Sequence, residues 1–339
     1  MILEFDMKLN KRKCQQGIDG LNLEYTLGLE GMKNLYLPEE ELKNQANNTI
    51  VKIDCVGGKI RTYINAVHSI RPNNVKPFGI ADAIKLELVK SQVIEFMQSY
   101  LKKYLLDKYS DEFINNLKVK SLEVNITLPC VGTATPSDVI HLLDMAFDRT
   151  VVFRKRKVFS KCEKANTGVQ YTKQNEYRLK IYDKTDEQHR HNNPLVKSNL
   201  LRIECVFINR SLKKMFGNKR TLEDILTKQA LITLCQKYKN VLTEDIIKLY
   251  IIPYLDSCKK TLFESLIQSE SGKEITDTIA RHKELIVDIE VLRQALKMWY
   301  RFKGVEDRSS QVIHKYRKKN LDIPEYVIAT IKMFHQSAG

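Results

Sequence analysis

The sequence predicts an α+β fold: an antiparallel sheet with helices on one face over the N-terminal two thirds, followed by an all-helical C-terminal domain. Two observations carry this expectation. Runs that alternate apolar and polar residues recur up to residue 208, broken by two stretches of helical spacing. From Leu222 onward such runs vanish and apolar residues recur three and four apart. Strands, helix, strand, helix, strands is an order typical of an antiparallel α+β arrangement. A composition break near residues 216–220, punctuated by Gly217, sets the expected boundary between 1–217 and 218–339.

The elements follow in order. Residues 2–9 alternate. Residues 48–55 and 60–66 flank Val56-Gly57-Gly58, a hairpin signal. Residues 83–89 (AIKLELV) also alternate and complete an expected meander. Residues 91–109 are helical, with Val93, Phe96, Met97, Tyr100, Leu101 and Tyr104 on one spacing. Residues 119–128 alternate. Ser137 caps a helix that carries Asp138 in its first turn and runs to Ala146. A basic segment, 149–164, precedes two strand-like runs at 177–182 and 200–208. Beyond the boundary, 222–238, 243–269, 275–280 and 286–302 have helical periodicity, as does 324–334, with Pro324 at its start.

At 339 residues the chain can bury a full core and is expected to hold two domains. No run of 18 apolar residues exists, so no membrane span is expected. The start, MILEFDMKLNKRKC, has Glu4 and Asp6 and no apolar core of signal-peptide length, so a cytoplasmic location is expected. Seven scattered cysteines without a CxxC pair indicate neither a disulfide framework nor a zinc site.

Charge is the sharper signal. The chain carries a net +15, and residues 149–220 alone hold 19 Lys/Arg against 6 Asp/Glu, a net of +13. Charge concentrated in this way is a footprint for a polyanion. Within it, Arg154, Lys155, Arg156 and Lys157 form one phosphate-contact run, Arg210, Lys213 and Lys214 form another, and Arg202 is a further DNA-contact candidate. Phe153, Phe159, Tyr171 and Tyr177 lie among them as faces on which single-strand bases can stack. Residues 308–320 (RSSQVIHKYRKKN) make a second, smaller basic patch.

Inside the larger patch, Tyr182 and Lys184 stand two apart, on one face if the strand continues. A neighbouring ammonium and a phosphate-bound divalent cation both favour the phenolate. A tyrosinate attacking phosphorus yields a covalent phosphotyrosine and frees a 3′-hydroxyl. The alternative is a half-buried sheet tyrosine beside a lysine. Tyr171, expected at the mouth of a hairpin and close to Lys173, is the rival nucleophile. Tyr177 is expected to pack. Glu123, Asn125 and Thr127 share one strand face, opposite Leu122, Val124 and Ile126. Glu123 there is either a ligand for Mg²⁺ or Mn²⁺ or part of a solvated face. Glu204 poses the same question, with Arg202 as its alternative ion-pair partner. Glu187 follows Lys184 by three. His189 and His191 bracket Arg190, which fits a charged loop better than a ligand pair. No Walker A, GxGxxG or HExxH pattern occurs.

These residues, YDKTDE followed by NLLRIECVFINRSLKKMFG, resemble the replication initiators of filamentous phages, the gene II/gene X protein family, and related phage or plasmid initiators. The family's Tyr-x-Lys-x-x-Glu core is matched by Tyr182, Lys184 and Glu187. Its apolar-Arg-apolar-Glu strand is matched by Arg202 and Glu204, and its basic region by Arg210. Glu123 in SLEVNITL falls where the family has an acidic strand, and AIKLELVKSQVI resembles the preceding strand–helix junction. The likeness covers 1–217 and is sharp over 177–217. It implies a nicking-closing DNA enzyme that starts rolling-circle replication, with Tyr182 as nucleophile and Mg²⁺ or Mn²⁺ at the scissile phosphate. Glu123, Glu187 and Glu204 would be metal ligands or proton handlers. The implied substrate is origin DNA, single-stranded or supercoiled; the helical C-terminal part lies outside the likeness, and its open readings are binding of the origin duplex, of a host helicase or of a second copy of the protein. Two departures concern the metal: Glu123 and Asn125 replace the Arg-apolar-Asp pattern, and no histidine pair brackets an apolar residue. Three other readings share the charge pattern: a conjugative relaxase of the same chemistry, a non-catalytic replication or copy-control factor, and an RNA-binding protein.

Overall fold

A computed structural model describes residues 16–26, 35–36, 50–56, 59–69, 78–104, 117–148, 153–162, 165–173, 175–190, 199–218, 220–318 and 323–337. In chain order its strands are β1 (Gln16–Thr26), β2 (Leu35–Tyr36), β3 (Ile50–Val56), β4 (Lys59–Asn65), β5 (Phe78–Gly79), β6 (Lys118–Pro129), β7 (Phe153–Cys162), β8 (Ala165–Lys173), β9 (Tyr177–Asp183) and β10 (Leu200–Ile208). They form one antiparallel sheet ordered β2-β3-β4-β1-β6-β10-β9-β8-β7, with β5 pairing β1.

Alternation explains the sheet's two faces. In β6, Leu122, Val124, Ile126 and Leu128 point to one side and are fully buried. The register aligns them with Leu201, Ile203, Cys205 and Phe207 of β10, and these with Tyr177, Leu179 and Ile181 of β9. This apolar face receives the helices α1 (Leu86–Tyr104) and α2 (Pro136–Asp148). The opposite face of the same strands carries Glu123, Asn125, Thr127, Arg202, Glu204, Lys180 and Tyr182. Two short helices complete this half, α3 (Lys184–Arg190) after β9 and α4 (Asn209–Phe216) after β10.

The helical region contains α5 (Leu222–Ile225), α6 (Lys228–Asn240), a π-helix (Val241–Ile251), α7 (Ile252–Leu266), α8 (Gly272–Arg281), α9 (Ile289–Lys303), α10 (Ser309–Lys318) and α11 (Val327–Ser337). Two hydrophobic cores result. The first joins the apolar sheet face to residues from α1, α2, α6, the π-helix, the first turns of α7, and α11. Tyr238 of α6 donates its hydroxyl to the Ile203 carbonyl at 2.5 Å, pinning that helix to β10. The second core lies within the helices, with Leu262, Leu266, Ile279, Leu296 and Tyr316 at its centre. No described helix is long and apolar enough to cross a membrane.

Several expectations are corrected. Residues 83–89 are helical, the end of a 3₁₀ turn (Ile80–Lys85) running into α1. Leu86, Val89, Val93 and Met97 are buried at helical spacing, whereas Ile84 and Leu88, which produced the alternation, face outward. Thr135, not Ser137, caps α2: its hydroxyl accepts the Asp138 amide at 3.2 Å, and Pro136 takes the first turn. The terminal helix begins at Val327 rather than Pro324. The basic patch of 308–320 folds as α10 over most of its length. The gap between β3 and β4 is bridged by antiparallel pairing as the Gly-Gly signal implies, although Gly57 and Gly58, like residues 2–9, lie outside the described residues. Sequence alternation missed β1, because Gly17, Asp19 and Gly20 interrupt its pattern, and β8, where Asn166, Thr167 and Gly168 do the same.

Candidate active site

The polar face is organised as one chain of charged contacts. Tyr182 on β9 donates its hydroxyl to Glu204 Oε2 at 3.3 Å. Glu204 Oε1 lies 2.5 Å from the Lys180 ammonium, which also donates to Glu123 Oε1 at 3.2 Å. Glu123 Oε2 accepts the Tyr63 hydroxyl at 2.9 Å. Two tyrosines thus flank two carboxylates that share one lysine. Tyr63 stands on β4, the far side of β1 from Glu123, and its ring passes over Gly20. A Cβ at Gly20 would collide with that ring, so glycine opens the path.

Beneath this chain lies Arg202, a completely buried guanidinium. It donates to Thr127 Oγ1 at 2.7 Å and pairs with Asp19 at 2.8 Å. Asp19 occupies the break in the β1–β6 register between Ile18 and Leu21, where a bulge re-aims the chain. Asn125, opposite Glu204, is fully buried, and neither of its amide atoms has a hydrogen-bond partner among the described residues. A buried amide left so is costly unless a ligand satisfies it. The cleft beside Tyr182 encloses about 250 Å³ and is lined by Lys180, Glu204, Glu187, Arg190 and Thr167 among others.

Electrostatics follow from burial. Burial, reinforced by Glu204, raises the Glu123 carboxyl to about 7. Burial also holds the Tyr182 phenol well above its usual value, against the opposing pull of Arg202. The phenol of this state is therefore protonated, unlike the phenolate expected from a lysine neighbour. Lys184 is pushed down to about 8 by burial and then by Arg202. Lys180 goes the other way, because Glu204 and Glu123 outweigh its desolvation.

The sequence-derived candidates separate here. Tyr182, Glu204 and Glu123 are brought together. Lys184 starts α3 instead of extending β9, so the two-residue rule fails, yet its ammonium still lies 5.9 Å from the Tyr182 ring centroid. It pairs with Glu187 at 2.7 Å. Glu204 pairs with Lys180, not with Arg202. Tyr171 sits mid-strand on the apolar face, 1% exposed, hydrogen-bonded to Asp144 and stacked 4.9 Å from Phe147. Tyr177 is equally buried, so neither ring is available to stack on bases. Arg202, offered as a DNA contact, is consumed by Asp19 and Thr127. Arg210, Lys213 and Lys214 are exposed on α4, but at the opposite end of β10 from Tyr182. Seven residues of strand separate them, about 23 Å at the usual rise. Arg154, Lys155, Arg156 and Lys157 lie on β7, the sheet's edge, two strands from β9. Their side chains, with those of Phe153 and Phe159, lie outside the described residues.

Glu123, Glu187 and Glu204 do not converge on one cation position. Among the described residues no group of three or more His, Cys, Asp or Glu side chains is placed to hold a metal ion. The Lys180 ammonium fills the position between Glu123 and Glu204, and Lys184 neutralises Glu187, so in this arrangement the carboxylates do not fit a divalent ion.

Tyr63, Asp19 and Lys180 went unread in the sequence. Lys180 had a signal: it is the same-face neighbour of Tyr182 on the N-terminal side. Asp19 was visible only as a lone acid between glycines.

No family model and no curated protein matches the chain. Among solved structures, one similar chain is a rolling circle replication initiator protein from Geobacillus stearothermophilus. It shares 9% identity over 68% of this chain and 84% of that one, with a TM-score of 0.30, a level at which likeness carries no argument.

Proposed function

We propose that this protein is a DNA strand transferase of the rolling-circle initiator type, with Tyr182 as its nucleophile. The observation that carries the reading is the hydroxyl of Tyr182 aimed at the Glu204 carboxylate, with the Lys180 ammonium bridging that carboxylate to Glu123. In the attack, the phenolic oxygen of Tyr182 bonds to phosphorus as its proton passes to Glu204. The bond from phosphorus to the 3′-oxygen breaks. Glu123, raised to about 7 and so half protonated near neutrality, is the group suited to protonate that oxygen. Lys180 holds the two carboxylates apart in role and offers positive charge to the phosphate. The product is a 5′-phosphotyrosine, reversible by the freed 3′-hydroxyl, with origin DNA as substrate.

Mg²⁺ or Mn²⁺ dependence is tested in the same experiment, with Lys180 and Lys184 already neutralising Glu123, Glu204 and Glu187 in this arrangement. The experiment incubates the purified protein with supercoiled and single-stranded DNA from around its own gene, with Mn²⁺ or with EDTA, followed by SDS and a denaturing gel. A nick with a protein–DNA adduct, lost in Tyr182→Phe while DNA binding persists, is the expected result. Salt-sensitive binding with no adduct on either DNA would instead make this a non-catalytic DNA-binding protein, with Tyr182 as a packing residue.

A further inference from the structure

Beside the second core, helix α10 has a charged face that no other described element covers. Helix α9 ends at Gly304, left-handed at φ 66°, and residues 304–308 turn the chain into α10. Ser309, Ile313 and Tyr316 anchor α10 inward against α8 and α9. The other face presents Gln311, His314, Lys315 and Lys318, all exposed. They fall at i, i+3, i+4 and i+7, hence in one line along the helix. Arg317 and Arg308 on the flanks are tied to Glu325 and Glu306. Lys315 and Lys318 make no ion pair among the described residues. Helix α10 holds no acid, and residues 297–318 carry seven Lys/Arg against two Asp/Glu.

We propose that α10 is a duplex-DNA-binding helix, which seats its 311–318 face in a major groove. An α-helix with side chains is about 10–12 Å across, matching a groove about 12 Å wide. Two helices joined by a short glycine-containing turn, the second one exposed, is the arrangement that presents a helix to a groove. Gln311 and His314 supply hydrogen-bonding groups for base edges, and Lys315 and Lys318 supply cations for phosphates. The face carries no aromatic ring for stacking the bases of a single strand. It also lacks the apolar flank that a membrane-surface helix inserts. This site is separate from the sheet, and it stands whether or not Tyr182 is a nucleophile.

The test measures fluorescence anisotropy of the full-length protein with a labelled mixed-sequence duplex and with an oligo-dT strand of equal length, across a salt series. In the double variant Lys315→Glu/Lys318→Glu, duplex affinity should fall at least about tenfold and the salt slope by about 2, one for each lost phosphate contact. Oligo-dT affinity should hold. The milder Lys315→Gln/Lys318→Gln should shift duplex binding in the same direction if charge reversal perturbs folding. Lys228→Glu/Lys260→Glu makes the same charge change on α6 and α7 and should leave duplex binding intact. Equal loss in that control, equal loss for both DNAs, or a loss confined to duplex RNA or anionic vesicles would overturn the proposal.

Discussion

The two faces of the central sheet each carry tyrosines, and the faces use them differently. On the apolar face, Tyr171 and Tyr177 are 1% exposed and spend their hydroxyls on Asp144 and Asp245. On the polar face, Tyr182 and Tyr63 remain half-buried and point at Glu204 and Glu123. The residue type and the bonding pattern, a phenol donating to a carboxylate, are the same. What differs is the neighbourhood: ring packing on one side, a shared lysine, a buried arginine and an unsatisfied amide on the other. Among the described residues, the second set borders the cleft beside Tyr182.

The contrast can be broken most forcefully at Arg202. Its replacement by Ala takes the guanidinium from the buried Asp19 carboxylate, and should cost about 3–5 kcal/mol in urea unfolding. A loss under 1 kcal/mol would show that the guanidinium is not structural. Tyr171→Phe removes the Tyr171 donor from the buried Asp144 carboxylate and should cost about 1–3 kcal/mol. Adduct formation per folded molecule should not change, and its loss would move the nucleophile to the apolar face. Tyr63→Phe deprives Glu123 of one of two donors and should cost about 1 kcal/mol. It should slow adduct formation without abolishing it.

A further effect is on pH. Glu123 is raised in the folded state from an ordinary 4.5 to about 7, so the folded protein holds this proton more tightly than the unfolded chain. Its contribution to stability is full below 4.5 and is lost as pH rises through about 7. Urea midpoints measured across this window should decline more steeply in the wild type than in Glu123→Gln. Parallel slopes would remove Glu123 as the titrating group.

Much of this contrast was legible in the chain. The alternation in β6 put Glu123 and Asn125 on one face of that strand, and the spacing of Arg202 and Glu204 put those two on one face of β10, because a period of two admits only two sides; that the two faces coincide comes from the register. Tyr182 was legible for the same reason. Partners were not, since pairing depends on which strands become neighbours. Arg202 reaches back 183 residues to Asp19, across a bulge that no alternation announces. Lys184 escaped the strand rule because β9 stops at Asp183. The helix at 83–89 was misread because Ile84 and Leu88 are apolar yet exposed, which is common for single surface residues.

The most direct measurement is the identity of the residue that carries DNA. After reaction, nuclease digestion and trypsin, mass spectrometry should find a nucleotide on the peptide IYDK, residues 181–184, at Tyr182. A nucleotide on Tyr63 or Tyr171, with 181–184 unmodified, would contradict the assignment of the nucleophile.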